Sequence, residues 1–209
     1  IVLVIFSIIS RFSYKETSIK RPRNAYKKKI EQLKSSTDKD GDGIDDQSDI
    51  LKSALEYIQT KPKYESRYYI GGPPDDGYGV CTDVVAMGLK GAGYDLQKLV
   101  AEDIREHKDD YDIKVADSNI DYRRVRNLQV YFKNNIKSLG TDISKIEEWQ
   151  GGDIVIFKKH IGIVSDRRDK NGVPYIIHHG SKIQRAYEQN YLKGKADEIV
   201  GHYRWEIKD

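Results

Sequence analysis

The sequence predicts an α+β domain in which helices come first and an antiparallel sheet follows. Two observations lead there. Between residues 50 and 139 the apolar positions recur at helical spacings of three and four. From residue 153 onward they fall in short runs separated by turn residues. Helices followed by a meander of strands give a layered α+β fold rather than alternating βαβ units.

Each element has its own signal. Ile50, Leu51, Ala54, Leu55 and Ile58 predict a helix over residues 50–60, ended by Pro62, which cannot continue it. Residues 68–79 are rich in Gly, Pro and Asp and read as a loop. A second helix opens at Cys81, with Gly91 and Gly93 near its end. Residues 96–107 and 127–139 read as a third and a fourth. Strands are expected at 153–157 (DIVIF), 161–165 (IGIVS), 175–178 (YIIH, after the turn 169–172) and 201–207.

The chain has 209 residues, 33% charged and 38% hydrophobic, with a net charge of +3, which fits one domain with an appendage. Four stretches are expected. Residues 1–14 are a truncated membrane anchor or signal segment, 15–36 a basic tether, 37–49 an acidic loop and 50–209 the globular domain. The run IVLVIFSII at the start is shorter than the ~20 apolar residues that span a bilayer, so it reads as the remainder of a longer segment. No small-residue cleavage site follows it, which favours an uncleaved anchor and makes the membrane an expected partner. The tether carries eight Lys or Arg against Glu16 and Glu31, and Tyr26, Ile30 and Leu33 recur at helical spacing in it. Basic and aromatic residues are not interleaved as on a nucleic-acid-binding surface, so no nucleic acid is expected.

In the acidic loop Asp38, Asp40, Asp42, Asp46 and Asp49 occupy positions one, three, five, nine and twelve, with Gly43 at six. Alternate carboxylates converging on one hard cation, with glycine at the sharp turn, suit Ca2+ in a structural role. Asp49 stands where an EF-hand has a bidentate Glu, and Ile44 comes one place early. The spacing resembles the calcium loops of type-3 thrombospondin repeats. The plain alternative is a solvated acidic linker.

Cys81 is the single cysteine, so no intrachain disulfide forms. A lone cysteine is more often a small buried hydrophobe than a nucleophile. Its place at a helix start changes that balance. Free backbone N–H groups and a partial positive charge there lower a thiol's pKa and can hold an oxyanion. Of five histidines, His160 precedes the strand IGIVS and His178 ends the next one, so one ring can orient the other. His107 lies in a charged run and His202 in the closing strand. Three arginines within residues 123–126 suit a carboxylate or phosphate clamp, or Arg123 pairs with Asp121 to fix a loop. Asp75, Asp76 and Tyr78 precede the nucleophile and are candidates to line its cleft.

The order of Cys81 at a helix start, GDIVIF at 152–157, HIGIV at 160–164 and YIIH at 175–178 resembles papain-like cell-wall peptidases of the NlpC type. That resemblance implies Cys81 as nucleophile, His160 as base and His178 as the orienting third member. Residues 42–205 more closely resemble a YijF-like bacterial family, a domain of unknown function, through DGDGIDD, GVCTDVV, YDLQKLV, SNIDYRRVRNL, EWQGGDIVIF, HIGIVSD, GVPYIIHHG and GHYRW. Where that family is expected to read HNG, this chain has His178-His179-Gly180.

The expectation is therefore an extracytoplasmic cysteine hydrolase of papain-like, NlpC-type build, acting on an amide bond of cell-wall peptide. Its catalytic residues are Cys81, His160 and His178. Asp76, Tyr78, Asp121, Arg123 and His179 are expected at the substrate. Two other readings use the same residues: a non-catalytic envelope-binding module, and a zinc site of Cys81, His160 and His178.

Overall fold

The computed structural model describes residues 16–208. The apolar segment 1–14 lies outside these residues. Among them no helix is long and apolar enough to cross a membrane.

The chain forms α1 (Asp46–Gln59), β1 (Lys63–Tyr64), β2 (Tyr78–Gly79), α2 (Cys81–Gly91), α3 (Leu96–Glu106), α4 (Ser118–Asp121) and α5 (Val125–Asn135). Then come β3 (Ile136–Ser138), β4 (Ile154–Phe157), β5 (His160–Arg168), β6 (Pro174–Ile177), β7 (Glu188–Gln189), α6 (Tyr191–Gly194) and β8 (Ile199–Ile207). Six strands make one antiparallel sheet in the order β3-β8-β4-β5-β6-β7, and β1 and β2 form a separate parallel pair. Helices first and an antiparallel sheet afterwards is the expected class.

Alternation along the central strands divides the core in two. Ile161, Ile163 and Ile177 face α1, α2, α3 and α5, whereas Val164 and Ile176 face a smaller cluster with Trp149, Phe157 and Leu192. Helix α2 lies between α1 and β5, and Gly88 makes the approach close enough. A Cβ there would meet Ile163 Cδ1 at 2.7 Å and the Ile50 carbonyl at 3.1 Å. This packing fixes the start of α2 over the sheet.

Several local expectations change. Helix α1 starts at Asp46, where Asp45 caps it, and so takes in the end of the expected acidic loop, and β8 starts at Ile199. The fourth helix stops at Asn135, because residues 136–138 pair with β8 as an edge strand. Ladder hydrogen bonds outweigh the helical period there. The strand 161–165 lengthens to His160–Arg168, which brings His160 into the sheet. Residues 26–33 are not helical. The expected tether runs as an extended strap over the domain: Ser18 bridges Ala186, the Ala25 amide donates to the Arg168 carbonyl, and the Leu33 amide donates to Gln150. Arg21 anchors it by ion pairs to Glu188 and Asp166.

Candidate active site

Cys81 is the first residue of α2, after Val80 in extended conformation. Two side chains hold this start. Asp83 accepts from the Val80 amide at 2.7 Å, and Arg123 grips both Asp83 oxygens at 2.8 Å each. Both groups are buried, so neither charge is left unpaired. Arg123 is therefore not a free clamp for substrate. Asp121 accepts from the Asp117 amide and from Asn127, so it holds the start of α4 and does not pair with Arg123.

Cys81 is only 8% exposed. Burial pushes its pKa up to about 11. The Ile161 amide opposes the rise, the Asp83 carboxylate adds to it, and the amides of Thr82 and Cys81 itself act with Ile161. The thiol rests protonated, which corrects the expectation of a value near neutrality: at this helix start, burial outweighs the amides. The Ile161 contact also puts the sulfur beside the backbone of the residue that follows His160.

His160 and His178 come together as the strand spacing implied. His160 Nε2 lies 2.8 Å from His178 Nδ1, and His178 Nε2 lies 3.0 Å from Gln189 Oε1. An amide oxygen only accepts, so His178 carries its proton on Nε2 and accepts at Nδ1. His160 then donates from Nε2, which leaves its Nδ1 lone pair free to take a proton. The tautomers follow from the Gln189 amide orientation. Gly162, opposite His178 across β5 and β6, keeps room for the pair: a Cβ there would lie 2.6 Å from Ile176 and 3.2 Å from His178 Cβ. Burial, then the nearby His179, lowers the pKa of His160 to about 4. Burial and the His160 charge lower that of His178 to about 3. Both rings are neutral near pH 7.

His179 does not join this chain. It packs edge-on to Tyr64 at 5.1 Å and to Tyr187, is buried, and has an Nδ1 without a partner. Asp76 and Tyr78 also sit apart. Asp76 binds Arg67, the Tyr69 hydroxyl and the Tyr78 amide, while the Arg67 guanidinium stacks 3.3 Å from the Tyr78 ring. These contacts organise the loop before α2. Asp75 and Tyr78 line a separate hollow with Pro62 and Met87. Buried His202 is held by Gly140 and Asp153 under Trp149 and is structural.

A cleft of about 340 Å³ opens over the histidine pair, lined by Lys159, His160, His178, Gln184, Gln189 and Tyr191, among others. Tyr191 packs 5.1 Å from His160 and 4.6 Å from His178, ring centroid to ring centroid, and its hydroxyl is near enough to Cys81 that a thiolate there would raise its pKa. Gln189 and Tyr191 escaped the sequence reading, since a two-residue strand and a four-residue helix leave no period to detect.

Of the acidic residues, Asp38, Asp40 and Asp42 converge, with carboxylate oxygens within 4.8 Å of one another. Asp46 is directed elsewhere: it accepts from the Lys39 amide and the Tyr94 hydroxyl. Asp49 is buried on the first turn of α1. Cys81, His160 and His178 form no such group among the described residues: the two rings bond each other, but the Cys81 sulfur does not come within 4.8 Å of both bonded nitrogens, so the zinc reading lacks its ligand set.

Residues 51–205 match a family described as a domain of unknown function, DUF1287. A protein of Escherichia coli strain K12, "Uncharacterized protein YijF", is 38% identical over 156 residues, covering 70% of this chain and 74% of that protein. The chain belongs to the DUF1287 family. The DUF1287 match runs from α1 into β8 and includes Cys81, His160, His178 and Gln189. The acidic loop lies before its first residue.

Proposed function

We propose that this protein is a papain-like cysteine hydrolase that opens an amide bond through a thioester on Cys81. The hydrogen-bonded order Gln189–His178–His160 carries the reading. It fixes a neutral imidazole with a free Nδ1 lone pair on the strand whose next amide acts on the Cys81 thiol.

The steps follow from these groups. Cys81 transfers its S–H proton to His160 Nδ1 as the S–C bond forms, because a thiol held near 11 attacks well only when a base takes that proton during attack. Backbone N–H groups at the start of α2 stabilise the developing oxyanion. His160 then protonates the leaving amine, the C–N bond breaks, and the thioester remains. Water attacks it, His160 accepts a proton from that water, and Cys81 regains its S–H as the acid departs. His178 holds the imidazolium that forms twice in the cycle, and Gln189 holds His178.

NlpC-type peptidases supply the analogy for substrate, namely the peptide stem of the bacterial wall. The apolar run at 1–9, read as part of an anchor or signal segment, supports an envelope location. Incubating the protein with peptidoglycan fragments and analysing them by mass spectrometry tests this. New amine termini with the wild type and none with Cys81→Ala support it; identical spectra for the two overturn it.

One observation favours a second reading. A neutral thiol on a residue only 8% exposed suits a non-catalytic module that binds an envelope ligand in the same cleft. In that case Cys81→Ala keeps ligand binding and no turnover is seen with either protein.

A further inference from the structure

We infer that the loop before α1 binds one Ca2+ through Asp38, Asp40, Asp42 and the buried Asp49. Asp46, the fifth aspartate of the run, is not a direct ligand. This site stands apart from the hydrolase reading and from the DUF1287 match, which begins at residue 51.

Three exposed carboxylates meet within 4.8 Å, and among the described residues no lysine or arginine forms an ion pair with any of them. The turn that gathers them is preformed. Asp38 accepts from the Gly41 and Gly43 amides at 2.8 and 2.9 Å, and Asp42 from the Ile44 amide at 2.8 Å. Gly43 takes φ +91°, a conformation that a side chain would strain.

Asp49 is the independent sign of a missing cation. It is 2% exposed, yet its Oδ2 has no hydrogen-bond partner, and Lys52 reaches only the other oxygen, at 3.9 Å. A buried carboxylate oxygen without a partner is costly. Of the charges that reach Asp49, Asp42 comes first, then Lys52, then Asp40 and Asp38, so three of the four belong to the cluster at whose edge it lies. A bound cation supplies what all four lack. Oxygen donors alone at positions one, three, five and twelve, with the residue-44 carbonyl at position seven, favour calcium over magnesium, which demands a stricter octahedron and keeps its waters.

The site is a clamp. Asp40 packs on Gly93 at the α2–α3 corner, where a Cβ would lie 3.1 Å from Asp40 Cβ. Asp49 belongs to α1, which packs on α2. One ion thus ties the loop, α1 and the far end of the nucleophile helix together.

The test is binding of calcium, and of terbium as a luminescent substitute, to the chelator-stripped protein. Tyr94 donates to Asp46 at 2.6 Å and packs on Trp205, so it is placed to sensitise terbium in the loop. The expected result is one ion per chain and a melting temperature raised by roughly 5–10 °C at a hundredfold excess of calcium over Kd. Asp42→Asn, at an exposed position, and Asp49→Asn should each raise Kd at least about tenfold, whereas Asp46→Asn should change it less than about threefold. Far-UV circular dichroism checks that each variant folds. Absence of saturable binding to the wild type at about 10 mM calcium, well above the weakest sites of this type, overturns the inference. So does equal weakening by Asp46→Asn and Asp42→Asn.

Discussion

The imidazoles of His160 and His178 stand almost perpendicular, at 82°, with His160 Nε2 2.8 Å from His178 Nδ1. A histidine as third member of such a site is itself ambiguous, since either of its nitrogens can hold the proton. Gln189 removes that ambiguity by accepting at His178 Nε2, 3.0 Å away.

Removing Gln189 should therefore lower turnover without unfolding the protein. Gln189→Ala frees His178 to put its proton on Nδ1, where it opposes the His160 donor. The expected loss is roughly 10- to 100-fold in kcat with KM little changed, from steady-state kinetics on any turned-over amide. Unchanged kcat would remove Gln189 from the account.

The Asp83–Arg123 pair should be a stability element rather than a substrate contact. Arg123→Ala leaves a buried carboxylate unpaired at the start of α2 and should cost about 3–5 kcal/mol by urea unfolding. Arg123→Lys should recover only part of this, because one ammonium cannot serve both Asp83 oxygens.

Acid should destabilise the fold through its buried histidines. Burial holds His160, His178 and His179 below their unfolded value near 6.5. The unfolded chain thus takes up protons first as pH falls. Stability is fully present above about 6.5 and declines toward pH 4, with each histidine contributing at most about 1.4 kcal/mol per pH unit. Denaturant midpoints across this range check the slope, and His179→Gln should reduce it by about a third.

Alkylation should report the protonated resting thiol. With a pKa of about 11 for Cys81, iodoacetamide labelling should accelerate about tenfold per pH unit between about pH 7 and 10. A rate already flat from mildly acidic pH would reveal a thiolate–imidazolium pair instead.

Much of this was legible where the signal is local. Cys81 at a helix start, His160 before an apolar strand and the turn at 169–172 each follow from a few adjacent residues. The partners that give those residues their chemistry do not. Asp83 and Arg123 are 40 positions apart, and Gln189 lies in a strand of two residues. The arginine run suggested a clamp because sequence shows the charge and not its burial; the buried Asp83 claims Arg123. Asp46 fits the ligand spacing equally well on paper, but Tyr94, folded back from the α2–α3 corner, takes its free oxygen.

The central claim is that Cys81 is acylated with His160 as its base. Intact-mass and peptide mapping after exposure to an activated acyl ester, in the wild type and in His160→Ala, test it most directly. The account requires one acyl group on Cys81, formed at least about a hundredfold more slowly in the variant, the scale of general-base assistance. An unmodified Cys81, or equal rates in both proteins, would contradict it.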